Sequence, residues 1–434
     1  MKLIFKEKSM RYKKLVLTLV LLIILVCCKK STIPSADEIG QVVDHIVTME
    51  QAKTIAKRNS RSDNLSRRLV DRQIRDIKAI ASDGQNPSFY VINYIDSGFV
   101  IVAGDDRLMP VLAFSNSNPF PVEENQVYPN GLVKWMANVA DTINDIRARN
   151  AKQDTVLKIV WSNLSTLATE NISSRANDPV STMGLITTPL PIPTAAGQQA
   201  TQVITMEPVL STTWGQGIGY NDALPNMGCP LYSNGKPPTG CIATCTAQIM
   251  KFHEWPASFN WAAMPLNYGS GTTAALMSHI GSSVGMDYDC NGSSAYTQDA
   301  ATALRNIYNY KSAAYGNYNH IVASDELFAG YPIILAGGRK DKWLFFNVYA
   351  DGHAWVADGV QKINIMRSVS YIPVDDVLGY KWQLYASYLY FHMNWGWPAS
   401  SGNYNGFYGF DNFNPGENTF NYNTAMITNI RPNR

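Results

Sequence analysis

The stretch from Gly240 to Met250, Gly-Cys-Ile-Ala-Thr-Cys-Thr-Ala-Gln-Ile-Met, constrains the fold more than any other part of the chain. Pro237, Pro238 and Gly240 disfavour helix upstream, whereas Ile242, Ala243, Ala247, Ile249 and Met250 carry the pattern of a buried helix with no breaker before Pro256. Cys241 therefore falls in the first turn. There the unpaired N–H groups and the positive end of the helix dipole favour thiolate over thiol. A neighbouring imidazolium can take a cysteine pKa from about 8.5 to as low as ~3.5. A lone cysteine at a helix start can equally be a small packing residue, so its partners decide.

Two downstream segments supply partners. Asp351-Gly352-His353-Ala354-Trp355-Val356-Ala357-Asp358-Gly359 reads as a short strand entered through a Gly turn, with His353 at its start and an Asp-Gly turn at its end. Tyr388 to Trp397 reads as a strand ending in a turn, where Asn394 can orient an imidazole while an indole shields the bond from water. The chain order Cys, His, Asn is that of a papain-like thiol hydrolase, in which a histidine activates the thiol and a third group holds the histidine.

On these residues the chain resembles the streptopain family of papain-like cysteine peptidases. The matching motifs are Gly240-Cys241-Ile242-Ala243-Thr244 continuing through Lys251, then Gly352-His353-Ala354 with Asp358-Gly359, then Asn394-Trp395-Gly396-Trp397. Gly98 to Arg107 with Pro110-Val111-Leu112 resembles the family's propeptide. Two positions depart from the family pattern: Cys245 stands where a small residue without a thiol is usual, and Pro398 where glycine is expected. The resemblance implies an α+β fold, a papain-like catalytic domain preceded by a small α+β propeptide domain. It also implies a zymogen in which Cys241 attacks the scissile carbonyl and His353 shuttles the proton. Asn394 or the indoles of Trp395 and Trp397 orient the ring, and Gln216 is the candidate second oxyanion donor beside the Cys241 N–H. Gly240, Gly352 and Trp397 are expected beside the substrate. No cofactor and no metal are called for.

Composition is compatible with this and does not identify it. The net charge of +2 gives no reason to invoke nucleic acid, and 46% apolar residues in a 434-residue chain allow two ordinary cores. A basic start, the twelve-residue apolar run Leu15 to Val26 and Cys27-Cys28 read as a signal peptide ending in a lipobox, with Cys28 the lipidated residue and Cys27 the fallback. An exported lipoprotein of the outer membrane or cell surface, held by its lipid, is the expectation. Four cysteines then remain: Cys229, Cys241, Cys245 and Cys290. Cys229 and Cys290 can form one bridge in an oxidising compartment. The rival reading is a zinc site from Cys229, Cys241, Cys245 and His253, whose spacing fits no common finger or ribbon.

Pattern divides the chain into a signal peptide (1–28), a prodomain (29–153), an exposed linker (154–206) and the catalytic domain (207–434). The prodomain is expected to be a small independent unit, with helices over Met49 to Ala56 and Asn130 to Arg149 and a hairpin of Ser88 to Tyr94 with Gly98 to Ala103. The resemblance implies that it folds against the catalytic domain and covers the cleft. The linker's Ser, Thr, Pro and Ala content predicts activation cleavage between about Ser173 and Met206. Gly337-Gly338 is read as a turn beside the site. Peptide or protein substrates and the chain's own prodomain are the expected partners. A lipid-anchored binding or protease-inhibitor protein with an inactive catalytic domain is the competing class, and a thiol acyltransferase or amidase would share the same residues.

Overall fold

A computed structural model describes residues 45–434 except 59–60, 63–68, 71, 83, 123–127, 129, 167–184, 344–345, 373–377, 398–403 and 410–423. Cys28, the leader and Pro398 lie outside the described residues. In chain order the elements are α1 (Met49–Arg58), β1 (Arg61–Ser62), β2 (Leu69–Val70), β3 (Ile74–Ile80), β4 (Phe89–Tyr94), β5 (Phe99–Ala103), β6 (Val111–Ser115), α2 (Asn130–Ala148) and α3 (Thr155–Thr166). They continue with β7 (Leu185–Thr187), β8 (Gln199–Met206), α4 (Cys241–His253), α5 (Gly271–Ser283), α6 (Thr297–Asn306), β9 (Tyr310–Asn317) and α7 (His320–Phe328). The last are β10 (Ile333–Trp343), β11 (Phe346–Tyr371), β12 (Gly379–Asn394), β13 (Gly406–Gly409) and β14 (Ala425–Pro432). This is the expected α+β fold.

One antiparallel sheet runs through both halves, in the order β3-β4-β5-β6-β13-β12-β11-β10-β14-β9, with β8 added beside the distal part of β11. The prodomain is therefore not an independent unit: β6 continues the catalytic sheet by pairing Phe114 with Phe407 and Ala113 with Tyr408. Side chains seal this seam. Phe114 stacks on Phe407 at 5.1 Å, the Trp135 indole donates to the Gly409 carbonyl at 3.0 Å, and the Tyr390 hydroxyl donates to Val111 O at 2.8 Å.

Strand β11 separates two cores, because successive side chains leave a strand on opposite faces. Trp355 and Ala357 join Leu132, Trp135, Val139 and Ile143 of α2 in one cluster, while Ala354 and Val356 join Ile242, Ala243 and Ile249 of α4 in another. A prodomain helix and the helix that begins at Cys241 thus pack on opposite sides of the same strand.

The linker expectation needs correction. Residues 155–166 are helical, and 199–206 pair with Arg367 to Val360 of β11 along their whole length. The Thr and Val of Gln199-Ala-Thr-Gln-Val-Ile-Thr-Met are good strand residues once a partner edge exists. Two expected turns are bulges instead. Gly337-Gly338 sits at a register shift inside β10, and Asp358-Gly359 at one inside β11, so His353 lies well inside a long strand.

Because Phe114 fills the seam between the two halves, Phe114→Ala is expected to cost about 3 kcal/mol, in the range for truncating a buried aromatic. Urea unfolding of the full chain checks it. A loss below ~1 kcal/mol would mean that the seam closes without this ring.

Candidate active site

Helix α4 starts at Cys241, as the sequence predicts. Gly240, with φ 86° and ψ 142°, sits outside the space of most L-residues, and a Cβ built on it would stand 2.6 Å from Met286 Sδ. Glycine alone fits both constraints. The helix stops at Glu254, whose left-handed φ of 48° returns its N–H to the helix's last carbonyls. Between those ends almost every side chain is buried.

The partly exposed Cys241 thiol lies against main-chain N–H groups of Ala354, Ile242 and Cys241 itself. Burial pushes its pKa up, and those three N–H groups pull it back. Ala354 follows His353 in β11, so the thiol meets the strand at the histidine's neighbour. The His353 ring is buried, stacks on Trp355 with 6.1 Å between centroids, and places Nε2 3.2 Å from the Trp395 carbonyl. A carbonyl only accepts, so Nε2 carries the proton in this bond. Burial lowers the imidazole pKa to about 4, and the Trp395 carbonyl partly offsets this. In this arrangement both the thiol and the imidazole are neutral near pH 7.

In this structure the Asn394 side chain bonds elsewhere than to His353. Its Nδ2 donates to Thr212 O at 2.8 Å and to Gln248 Oε1 at 3.2 Å, and its Oδ1 accepts from Gln248 Nε2 at 3.3 Å. The carbonyl of the next residue, Trp395, meets the imidazole instead. Gln248 lies two turns beyond Cys241 on α4 and is fully buried. Its Oε1 also accepts from Thr212 Oγ1 at 3.0 Å and Trp214 N at 3.2 Å. One side chain thus joins the Cys241 helix, the strand end that holds His353, and the segment leading to Gln216. Sequence reading passed over Gln248 as part of a motif, although an amide in a buried apolar helix needs partners and was the available signal.

The remaining candidates are placed as follows. Gln216 is partly buried, and its carbonyl accepts from Thr239 N at 3.0 Å, two residues before Cys241. Trp395 is buried and packs on Trp355 at 5.3 Å and on Tyr408 at 5.2 Å. Gly352 is exposed beside the β10 bulge, and Trp397 is half-buried three residues past the strand end. Cys245 is free and buried, and burial, with the nearby Cys241 thiolate, pushes its thiol pKa well up. Cys229 and Cys290 are disulfide-bonded. That bridge takes Cys229 out of the proposed zinc set, and His253 Nδ1 lies 3.3 Å from the Tyr310 hydroxyl. Among the described residues no His, Cys, Asp and Glu cluster could hold a metal, and no helix is long and apolar enough to cross a membrane.

The sequence profile of the Peptidase C10 family matches residues 214–260 and 257–408, the span that holds the thiol, the imidazole and the carbonyl on it. This span is a Peptidase C10 family domain. Ahead of that region, residues 44–143 match the Spi protease inhibitor profile, so this C10 enzyme is a cysteine-type peptidase carrying an inhibitor-like prodomain. It is similar to streptopain of Streptococcus pyogenes serotype M1, with 23% identity over 83% of this chain and 86% of streptopain. It is also similar to the thiol protease/hemagglutinin PrtT of Porphyromonas gingivalis, with 22% identity over 77% of this chain but only 35% of PrtT. Among solved structures, the prointerpain A fragment of Prevotella intermedia shares the fold, with a TM-score of 0.51 and 22% identity over 84% of this chain and 100% of the fragment.

The C10 site makes a prediction about its amide pair. Gln248→Leu leaves Asn394, Thr212 and Trp214 short of partners and is expected to destabilise the chain by about 3 kcal/mol, at about 1–3 kcal/mol per orphaned group. Asn394→Leu is expected to cost a similar amount. The double variant should lose clearly less than the sum, because removing both amides leaves fewer buried orphans. A double-mutant cycle by urea unfolding checks this, and strict additivity would show that the pair is not coupled.

Proposed function

We propose that this C10 peptidase is an exported zymogen, acylated at Cys28 and held on a membrane by that lipid. Its endopeptidase activity uses Cys241 as nucleophile and His353 as base and acid. The observation that carries the reading is the Cys241 thiol at the start of a buried helix, facing the N–H of Ala354 beside His353. The chemistry follows from the groups present. The Cys241 thiolate adds to the scissile carbonyl, while the Cys241 N–H and the Gln216 amide hold the developing oxyanion. His353, protonated by the thiol, passes its proton to the leaving amine. Water then cleaves the thioester and frees the acid. Trp395 orients the ring, Trp397 and Gly352 flank the substrate, and Gly240 leaves room at the nucleophile.

Catalysis requires the His353 ring to leave the Trp395 carbonyl and meet the thiol, since an imidazole of pKa about 4 cannot serve as the cation of an ion pair near neutrality. The prodomain opposes that change because α2 packs on the Trp355 face of β11, against which the ring rests. Activation therefore consists of cutting the chain and freeing that face. The cut belongs ahead of Leu185, because β7 is hydrogen-bonded to β8 and β8 to β11.

The test is incubation of the chain without its leader, with reductant, beside Cys241→Ala, following size, the new N-terminus and casein cleavage. The wild type is expected to shorten, begin between about 173 and 185, and digest casein, while Cys241→Ala does none of these. If both stay whole and inert after an added protease separates the prodomain, the catalytic reading fails and a binding or inhibitor protein is the better account. Transfer to added amines in place of hydrolysis would make it an acyltransferase.

A further inference from the structure

The residues ahead of Cys241 form no regular element, yet each is pinned from outside. Pro237 O accepts from Asn221 Nδ2 at 3.0 Å, Pro238 O accepts from Ser293 Oγ at 2.6 Å, and Thr239 N donates to Gln216 O at 3.0 Å. Asn221 and Ser293 are both buried, so these bonds are shielded from competing water. They come from two loops on opposite sides of α4 in sequence. Within the first, Asn234 Nδ2 donates to Asn221 Oδ1 at 2.8 Å, and Cys229 N donates to Gly235 O at 3.0 Å. The second begins at Met286, whose thioether closes on Gly240, and is folded back by the bridge between Asp287 and Ser294. The disulfide Cys229–Cys290 ties the loops together across 61 residues.

Given the reading of Cys241 as nucleophile, we propose that the disulfide-linked loops form a collar whose positioning residues, Asn221 and Ser293, fix the turn Pro237–Gly240. The collar thereby sets the direction of the first N–H groups of α4. Those N–H groups face the Cys241 sulfur, and one of them is an oxyanion donor in the mechanism above. Loosening the collar misaims donors without removing any group that touches substrate. Misplacement of a reacting group by about 1 Å can cost ~100-fold in rate, so a partial loss of aim is expected in kcat rather than KM.

The test compares the full chain, activated in one way for all variants, with the double variant Cys229→Ser/Cys290→Ser and with Ser293→Ala and Ser293→Thr. Two quantities are read: kcat and KM on one peptide substrate, and the rate at which iodoacetamide modifies Cys241, mapped by mass spectrometry. The expected result is about a tenfold fall in kcat for the double variant, KM within about twofold, and slower modification of Cys241. Ser293→Ala moves the same way, and Ser293→Thr, which keeps the hydroxyl, stays near wild type. Should the double variant fail to fold, the serine pair decides. Unchanged kcat and unchanged modification in folded variants overturn the collar. Slower modification of Cys241 in a chain that hydrolyses no peptide keeps the collar and removes the nucleophile reading instead.

Discussion

The active-site geometry depends on a buried amide cluster, Gln248 with Asn394, Thr212 and the N–H of Trp214. Helix α4, the end of β12 and the segment leading to Gln216 are far apart in sequence, and nothing in their local propensities sets their mutual position. Apolar packing would tolerate small slides of α4 along the sheet. Directional bonds in a low-dielectric interior do not, because each lost partner leaves a polar atom that water cannot reach. Asn394 thus acts through the frame: fixing it fixes the backbone at Trp395, whose carbonyl meets His353.

On the proposed reading, latency follows from the two faces of β11. Helix α4 packs on one face and prodomain helix α2 on the other, so the histidine's strand is the layer common to both cores. In the intact chain the imidazole lies against Trp355 and the Trp395 carbonyl, and the thiol lies against main-chain N–H groups. Burial moves the two pKa values in opposite directions, the thiol up and the imidazole down, and both shifts favour the uncharged forms. The prodomain is built into the sheet through β6 and β13, which makes its release a break in a hydrogen-bonded seam.

The sequence revealed those parts of the site whose determinants are local. The start of α4, the hairpin β4–β5 and the pairing of Cys229 with Cys290 as an option were all legible, because a proline-glycine entry, alternating apolar residues and a cysteine count carry them. The family resemblance carried the activity and the prodomain. What escaped was decided by partners. Residues 199–206 read as linker because a strand's status depends on the edge it finds, here β11. Asn394 was assigned to the imidazole by chain order, whereas the cluster around Gln248 takes its side chain and leaves a main-chain carbonyl for the ring. No residue type signals a carbonyl, so that contact could not have been read from the sequence. Gly337-Gly338 and Asp358-Gly359 carry turn residues but serve as bulges, where the same backbone freedom bends a continuous strand.

The intact chain holds His353 neutral on the Trp395 carbonyl rather than on the thiol. The most direct test is an NMR titration of the full chain with labelled histidine, assigning the His353 signal by comparison with His353→Gln. This imidazole is expected to stay uncharged as pH falls through neutrality and to titrate at about 4. An imidazole still protonated at or above the ordinary histidine value of about 6.5 would mean that the ion pair with Cys241 already exists in the intact chain, and would contradict that expectation.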